Sequence, residues 1–279
     1  MLDVASVSVL FVFVFVFVYS LYSSGVSQIF HKLEVSKTVK DLGYTKDHIP
    51  VHAGFNAYLG IPDQTSSGVV NTFLDIFRRS KEEESSTKFD LIVGHIKKLY
   101  DDPKFEDYDL YVTGHSLGGA LAQLMALKLA TSDKLKKYPS AFPVTAITFA
   151  SPQVGGDDYQ QAFSLLEKAG RLRHVRFSNQ GDIVPVAPPS SIGYTQTGVT
   201  IHVQEGLAKI GYRNPLNGLL SQMRWGKPVD LDRHKLTEYY ARMMLNKELK
   251  TKTVENLYEE FLESHASAPI KRTPITANL

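Results

Sequence analysis

The sequence YVTGHSLGGALA occupies residues 111–122. It predicts a buried strand that ends at a corner of small residues and continues as a helix. Gly114, Ser116 and Gly118 form the pattern G-x-S-x-G, in which a serine takes strained backbone angles on a sharp turn. The residues two before and two after such a serine are expected to lack side chains for steric reasons. Ser116 is therefore the candidate nucleophile, with its hydroxyl lifted clear of the sheet edge.

The residues around this pattern distinguish it from a chance turn of glycines and serine. Apolar residues 110–112 precede it, and a helix with one apolar face follows, formed by Ala120, Leu121, Leu124, Met125 and Leu129. The same turn points the amide N–H of Leu117 and the positive end of the helix toward the place where an oxyanion would form. We therefore predict that Leu117 is an oxyanion donor.

Length and composition exclude several classes of protein. A chain of 279 residues, 43% of them hydrophobic and 22% charged, suits one large α/β domain. The formal net charge is +2, and no block of Lys and Arg alternates with aromatic residues, so we expect no nucleic-acid partner. The absence of cysteine excludes disulfides, thiolate metal sites and a cysteine nucleophile.

The N-terminal segment, residues 1–30, is apolar and is set apart from the rest of the chain. Residues 4–22 carry no charge and would span about 28 Å as a helix, close to the hydrocarbon thickness of a bilayer. A membrane anchor, a signal peptide and an artefact of how the sequence was defined all remain open, although Asp3 argues against a signal peptide. We expect a main domain over 31–265, a flexible tail over 266–279, and a membrane-associated or secretory-pathway location.

Strands and helices are predicted to alternate along the main domain. An amphipathic helix over 89–100 precedes the elbow, and a helical spacing is also present over 69–77. A strand over 143–149, a helix over 159–168 and a strand over 171–177 follow the elbow helix. This order predicts a mainly parallel central sheet with helices on both faces. Ligands bind such sheets beyond the carboxyl ends of the strands.

A nucleophilic serine needs a histidine base, and four histidines lie downstream of Ser116. His174 lies within a predicted strand and His265 in a frayed tail. His202 alternates with apolar residues and is predicted to lie on the wetter face of a strand, which leaves it as a minor alternative. His234 follows a turn-rich loop and precedes a helix whose apolar side is formed by Leu236, Tyr239, Tyr240, Met243 and Met244. We therefore predict that His234 is the base.

The acid that orients this base is predicted from position in the same way. Asp182 lies in the loop just beyond the strand over 171–177. Other downstream aspartates fit structural roles better: Asp157 and Asp158 at the start of a helix, and Asp230 and Asp232 as caps of the helix after His234. Asp182 is therefore the leading candidate, although an Asp beside a Gly is also common in turns.

Five segments of this chain resemble the class 3, or fungal-type, lipases, which are α/β-hydrolases. These segments are VHAGF (51–55), VTGHSLGGALA (112–122), FASPQVG (149–155), NQGDIVP (179–185) and the helix start from His234 to Tyr239. The resemblance runs from about residue 52 to 245. It implies Ser116 as nucleophile, Asp182 as acid and His234 as base, with no metal, no organic cofactor and a glycerolipid ester as substrate.

One family segment does not match. Class 3 lipases carry a strand ending in Gly-Thr upstream of VHAGF, which supplies a second oxyanion donor, whereas residues 30–33 here read FHKL. Three hypotheses follow: a lipase-like ester hydrolase, a phospholipase or galactolipase of the same fold, and a weakly active or inactive lipid-binding relative. Each implies contact with a lipid surface or membrane, and the sequence indicates no oligomeric state.

Overall fold

A computed structural model describes most of the predicted domain. The described residues are 30–59, 87–188, 190, 193–204, 207–212, 231–247 and 249–265. The apolar run over 4–22, the predicted helix over 69–77 and the tail over 266–279 lie outside them. Within the described part of the chain, no helix is both long and apolar enough to cross a bilayer.

The described strands and helices follow the predicted alternation. The strands are β1 (Phe30–Glu34), β2 (His48–His52), β3 (Tyr111–His115), β4 (Val144–Phe149), β5 (Leu172–Asn179), β6 (Val199–Gln204) and β7 (Leu207–Tyr212). The helices are α1 (Lys37–Asp41), α2 (Ala53–Tyr58), α3 (Lys88–Tyr100), α4 (Leu117–Ala130), α5 (Asp157–Lys168), α6 (Leu236–Leu245) and α7 (Val254–His265). Short 3₁₀ turns lie at Asp133–Leu135, Pro139–Ala141, Val184–Val186, Leu231–His234 and Leu249–Thr251.

The central sheet has five described strands in the order β3-β4-β5-β6-β7. The first four are parallel, and β7 runs antiparallel to β6. The pairs Gly114 with Thr148 and Phe149 with Phe177 set the register near the carboxyl ends of β3, β4 and β5. The prediction of a mainly parallel sheet is confirmed. Strands β1 and β2 form a separate antiparallel pair.

Helices cover both faces of this sheet, as predicted. Because successive strand residues point to opposite faces, Leu172 and Val175 of β5 lie on opposite sides. Leu172 belongs to a core cluster that includes Leu124 of α4 and Phe163 of α5. Val175 belongs to a second cluster with Leu257 of α7. Each face of the sheet therefore has its own hydrophobic core.

Strand β3 differs from the prediction of a buried strand. Its only hydrogen-bonded neighbour among the described strands is β4, so it forms an edge of that sheet. The side chain of Tyr111 is 48% exposed, and Thr113 is also exposed. The apolar residues 110–112 therefore indicated a strand but not its position within the sheet.

Two predicted helices are present, with burial that differs from the sequence pattern. Helix α3 begins at a capping box formed by Thr87 and Asp90, and Asp101 caps its end, but Ile92 and Leu99 are exposed. Helix α4 is buried on nearly all sides, including Gln123, rather than on one face. Its burial follows from its position between the sheet and α2.

Residues of β5 and β6 build a buried polar layer, which corrects the prediction that His202 lies on a wetter strand face. His202 is 1% exposed, and its Nδ1 lies 3.0 Å from the Ser178 hydroxyl. His174 lies between the hydroxyls of Thr148 and Thr197, each 3.0 Å from a ring nitrogen. Both histidines are therefore interior residues held by hydrogen bonds.

The layer makes the fold sensitive to acid. Burial, together with the positive charge of Arg176, lowers the pKa of His174 to about 3, whereas a histidine in an unfolded chain titrates near 6.5. Between these two values the unfolded chain binds a proton that the folded chain does not. The free energy of unfolding should therefore fall as the pH drops below about 6.5.

We predict that His174→Gln makes the protein less stable at pH 7 but flattens this dependence, because glutamine does not titrate. Urea unfolding of parent and variant at pH 7, 6, 5 and 4 measures the difference. An equal loss of stability with falling pH in both proteins would contradict the assignment to His174.

Candidate functional site

The nucleophile elbow has the strained backbone that the motif predicts. Ser116 has φ 57° and ψ −127°, in the left-handed region that costs a residue with a side chain roughly 1–3 kcal/mol. Its N–H donates to the Phe149 carbonyl of β4 at 3.0 Å. Its own carbonyl accepts from the N–H groups of Gly119 and Ala120, which begin the ladder of α4. The corner is thus held by the neighbouring strand and by the helix that follows.

The glycines around Ser116 differ in how much space surrounds the position of a Cβ. A Cβ at Gly114 would lie 2.1 Å from the Gly118 carbonyl oxygen, so a side chain is excluded there. A Cβ at Gly118 would meet nothing within 4 Å, which corrects the prediction for this position. Gly119 is constrained instead, because its Cβ would lie 2.7 Å from that of Ser151. On this side of Ser116, the position that excludes a side chain is therefore Gly119, one residue later than the Gly118 of the motif.

The structure brings Ser116, His234 and Asp182 together. The Nε2 of His234 lies 2.8 Å from the Ser116 hydroxyl oxygen, and its Nδ1 lies 3.0 Å from Oδ2 of Asp182. Because a carboxylate accepts hydrogen bonds, Nδ1 carries the ring proton and Nε2 is left to accept the serine proton. His234 and Asp182 are both buried, so solvent competes little with these contacts.

Three groups satisfy the carboxylate of Asp182. His234 donates to it, the Val184 N–H donates to Oδ1 at 3.0 Å, and the Tyr239 hydroxyl donates to Oδ2 at 2.7 Å. Burial, with the negative charge of Asp182, raises the pKa of Tyr239 well above its usual value, so the phenol stays protonated and donates. The hydrogen bonds fix the orientation of the carboxylate toward the base.

A set of hydrogen bonds fastens the end of β5 to the segment that carries the base. The Asn179 N–H donates to the Tyr239 hydroxyl at 3.0 Å, and the Asn179 side-chain amide donates to the Arg233 carbonyl at 3.2 Å. The buried Arg242 donates to the Gln180 carbonyl at 3.2 Å. The sequence did not indicate these roles of Asn179 and Arg242, because the groups that they contact here, on Tyr239, Arg233 and Gln180, lie more than fifty residues away along the chain.

The other candidate residues lie outside this cluster. His174 and His202 are in the buried polar layer, and His265 is the last residue of α7 rather than part of a tail. Asp157 and Asp158 lie in the first turn of α5, as predicted. Asp232 forms an ion pair with Lys235 in the next turn, and Asp230 lies outside the described residues.

Leu117 occupies the predicted place for an oxyanion donor. It is the first residue of α4, so its N–H has no acceptor within the helix. The segment FHKL, which stands where a second donor is expected, lies in β1 and pairs with β2 rather than with β3. Among the described residues, no group of His, Cys, Asp or Glu side chains is arranged to hold a metal ion.

The fold and the site together define an α/β-hydrolase. Ser116 follows the carboxyl end of β3, and Asp182 lies three residues beyond the end of β5, at the edge where parallel sheets bind ligands. The triad order along the chain is Ser, Asp, His, which is the order of that class.

The chain belongs to the class 3 lipase family, because the family model "Lipase (class 3)" matches residues 23–192, more than half of the chain. This confirms the resemblance drawn from the sequence motifs.

Curated relatives carry a narrower description. Phospholipase A1-II 1 of Oryza sativa subsp. indica is 32% identical over 139 residues, which are 50% of this chain and 33% of the relative. Phospholipase A1-IIgamma of Arabidopsis thaliana is 31% identical over 164 residues, 57% of this chain and 34% of the relative. The alignments thus span only about a third of the length of these relatives.

Solved structures of fungal lipases also align with the chain. Lipase II from Rhizopus niveus aligns with a TM-score of 0.46 at 23% identity, over 78% of this chain and 65% of that one. A mono- and diacylglycerol lipase from Aspergillus oryzae aligns with a TM-score of 0.41 at 19% identity, over 84% and 70%.

Proposed function

We propose that this protein is a serine hydrolase that cleaves carboxylic esters of lipids through an acyl-Ser116 intermediate. The proposal rests on two hydrogen-bond contacts of the His234 ring, one to the Ser116 hydroxyl oxygen at 2.8 Å and one to the Asp182 carboxylate at 3.0 Å. Membership of the class 3 lipase family supports the same reaction.

In the proposed reaction each residue has one role. The Ser116 oxygen attacks the ester carbonyl carbon while His234 Nε2 takes the hydroxyl proton. The imidazolium then returns this proton to the leaving alcohol as the carbon–oxygen bond breaks, which leaves the acyl-enzyme. Water attacks the acyl carbonyl with His234 again as base, and releases the fatty acid and Ser116. Asp182 holds the ring tautomer, and the Leu117 N–H donates to the oxyanion.

Triacylglycerol and other glycerolipid esters are the proposed substrates. The names of the curated relatives favour the phospholipid alternative, because those proteins are described as phospholipases A1. A galactolipid carries the same acyl ester bond and completes the set of candidates.

A weakly active or inactive lipid-binding protein is the second candidate function. It is supported by the pairing of FHKL with β2, in a two-stranded sheet separate from the one that contains β3. Loss of one oxyanion donor typically lowers kcat by about a hundred- to a thousandfold. Such a protein would keep a formed triad and turn over its substrate slowly.

We predict that Ser116→Ala abolishes ester hydrolysis, with a loss on the order of a millionfold if the triad acts as a unit. Release of fatty acid from triacylglycerol, phosphatidylcholine and monogalactosyldiacylglycerol measures the rate and ranks the substrates. His234→Ala should be as damaging.

His202→Gln is the matched control for these variants, because His202 is a buried histidine outside the triad. It should lower the melting temperature and leave kcat near that of the parent. Equal loss of activity in His202→Gln, or parent-like rates in Ser116→Ala, would contradict the triad. Parent turnover that is measurable but slow on all three lipids would favour the second candidate.

We further propose that the protein works at a lipid surface, which fits a membrane-associated or secretory-pathway location. Helix α6 begins two residues after His234 and carries Leu236, Tyr240 and Met244 at intervals of four residues, so they share one face. Their side chains are 50%, 62% and 46% exposed. An exposed apolar stripe next to a catalytic base suits contact with aggregated lipid.

Replacing Leu236 and Tyr240 together by serine should lower the rate on lipid vesicles by about tenfold or more, because burying each such side chain is worth about 1.5–3 kcal/mol. Hydrolysis of a soluble short-chain p-nitrophenyl ester should be unchanged. The control is Leu91→Ser with Leu99→Ser, two similarly exposed leucines on α3. If the control pair lowers vesicle activity as much as the α6 pair, the stripe is not the contact surface.

A further inference from the structure

His115, the residue immediately before the nucleophile, contacts the main chain of the base. Its ring Nε2 lies 2.7 Å from the carbonyl oxygen of His234, and the two imidazole rings lie 4.8 Å apart between centroids. A carbonyl oxygen can only accept a hydrogen bond. The Nε2 of His115 must therefore carry a proton and donate it.

The His234 carbonyl is at a point where the chain changes conformation. The 3₁₀ turn Leu231–His234 ends there, and α6 begins at Leu236. The N–H groups of Glu238 and Tyr239 both donate to the Lys235 carbonyl, so the ladder of α6 starts one residue after His234. The peptide between His234 and Lys235 is thus held from two sides: its N–H donates to the Asp232 carbonyl at 3.1 Å, and its carbonyl accepts from His115.

We propose that His115 is a positioning residue for the reaction proposed above, on which this inference rests. Two consecutive side chains at the end of β3 hold the base residue at two points. His115 donates to the main-chain carbonyl of His234, and Ser116 contacts its ring nitrogen at 2.8 Å. The distance between nucleophile and base is therefore fixed by one rigid strand end.

The neighbours of His115 suit this role. Burial lowers its pKa, so the ring is neutral near pH 7 and adds no positive charge beside the imidazolium that forms on His234. The other ionisable groups that face it are the Asp182 carboxylate and the phenol of Tyr239, whose ring packs edge-on at 6.2 Å between centroids. Packing against Tyr239 and the pairing of β3 with β4 limit the positions that the His115 ring can take.

Two variants separate the hydrogen bond from the packing. His115→Gln keeps an N–H donor and removes the ring, whereas His115→Phe keeps a ring of similar shape and removes the donor. A misplacement of about 1 Å can cost about a hundredfold in rate. We therefore expect kcat to fall about ten- to a hundredfold in His115→Phe with KM nearly unchanged, and to fall much less in His115→Gln.

The experiment measures kcat and KM of the full chain on a soluble p-nitrophenyl ester, with Ser116→Ala run in parallel and folding checked by circular dichroism. If His115→Phe is as active as the parent, or His115→Gln is the more damaged variant, the positioning role is wrong while the proposed function stands. If the parent is no faster than Ser116→Ala, the proposed function fails instead.

In that last case, NMR of ¹⁵N-labelled histidine still tests the contact. The His234 ring signals should shift in His115→Phe and stay close to those of the parent in His115→Gln. Unchanged His234 signals in His115→Phe would overturn the inference.

Discussion

The left-handed backbone of Ser116 is the constraint on which the site depends. A residue with a side chain adopts this conformation only where its surroundings compensate the strain. Here the Phe149 carbonyl of β4 accepts from the Ser116 N–H, and α4 begins at the serine carbonyl. A Cβ at position 114 would lie 2.1 Å from the Gly118 carbonyl oxygen, so the absence of a side chain at Gly114 allows these two segments to pack together. The result is a hydroxyl presented at the carboxyl edge of the sheet, beside the start of a helix.

The remaining parts of the site are tied to this corner by hydrogen bonds between distant segments. His115 and Ser116 hold the base, and Tyr239 and Asn179 join the base helix to the end of β5. The contact between Asn179 and Tyr239 is buried, so leaving it unmade would cost about 1–3 kcal/mol, and the contacts of His115 and Ser116 are partly buried. The positions of the three triad side chains are therefore set by strands β3, β4 and β5 and by the start of helix α6.

The sequence predicted those features that depend on local pattern. The elbow, the parallel strands and the placement of Asp182 and His234 in loops follow from periodicity, turn residues and chain order. Features set by contacts between distant segments could not be predicted in this way. Among the described strands β3 lies at an edge although its residues are apolar, and His202 is buried although it alternates as a solvent-facing residue would. In the sequence, His115 is only a variable position of G-x-S-x-G, whereas in the structure it contacts the His234 carbonyl.

Activation of Ser116 by the elbow and the triad is tested most directly by covalent labelling. The full chain is treated with a fluorophosphonate, and the modified peptide is identified by mass spectrometry. We expect a single adduct on Ser116 that forms rapidly in the parent and is lost in His234→Ala, because the serine is nucleophilic only when a base accepts its proton. An unlabelled Ser116 in the folded parent, or equal labelling in His234→Ala, would contradict this activation.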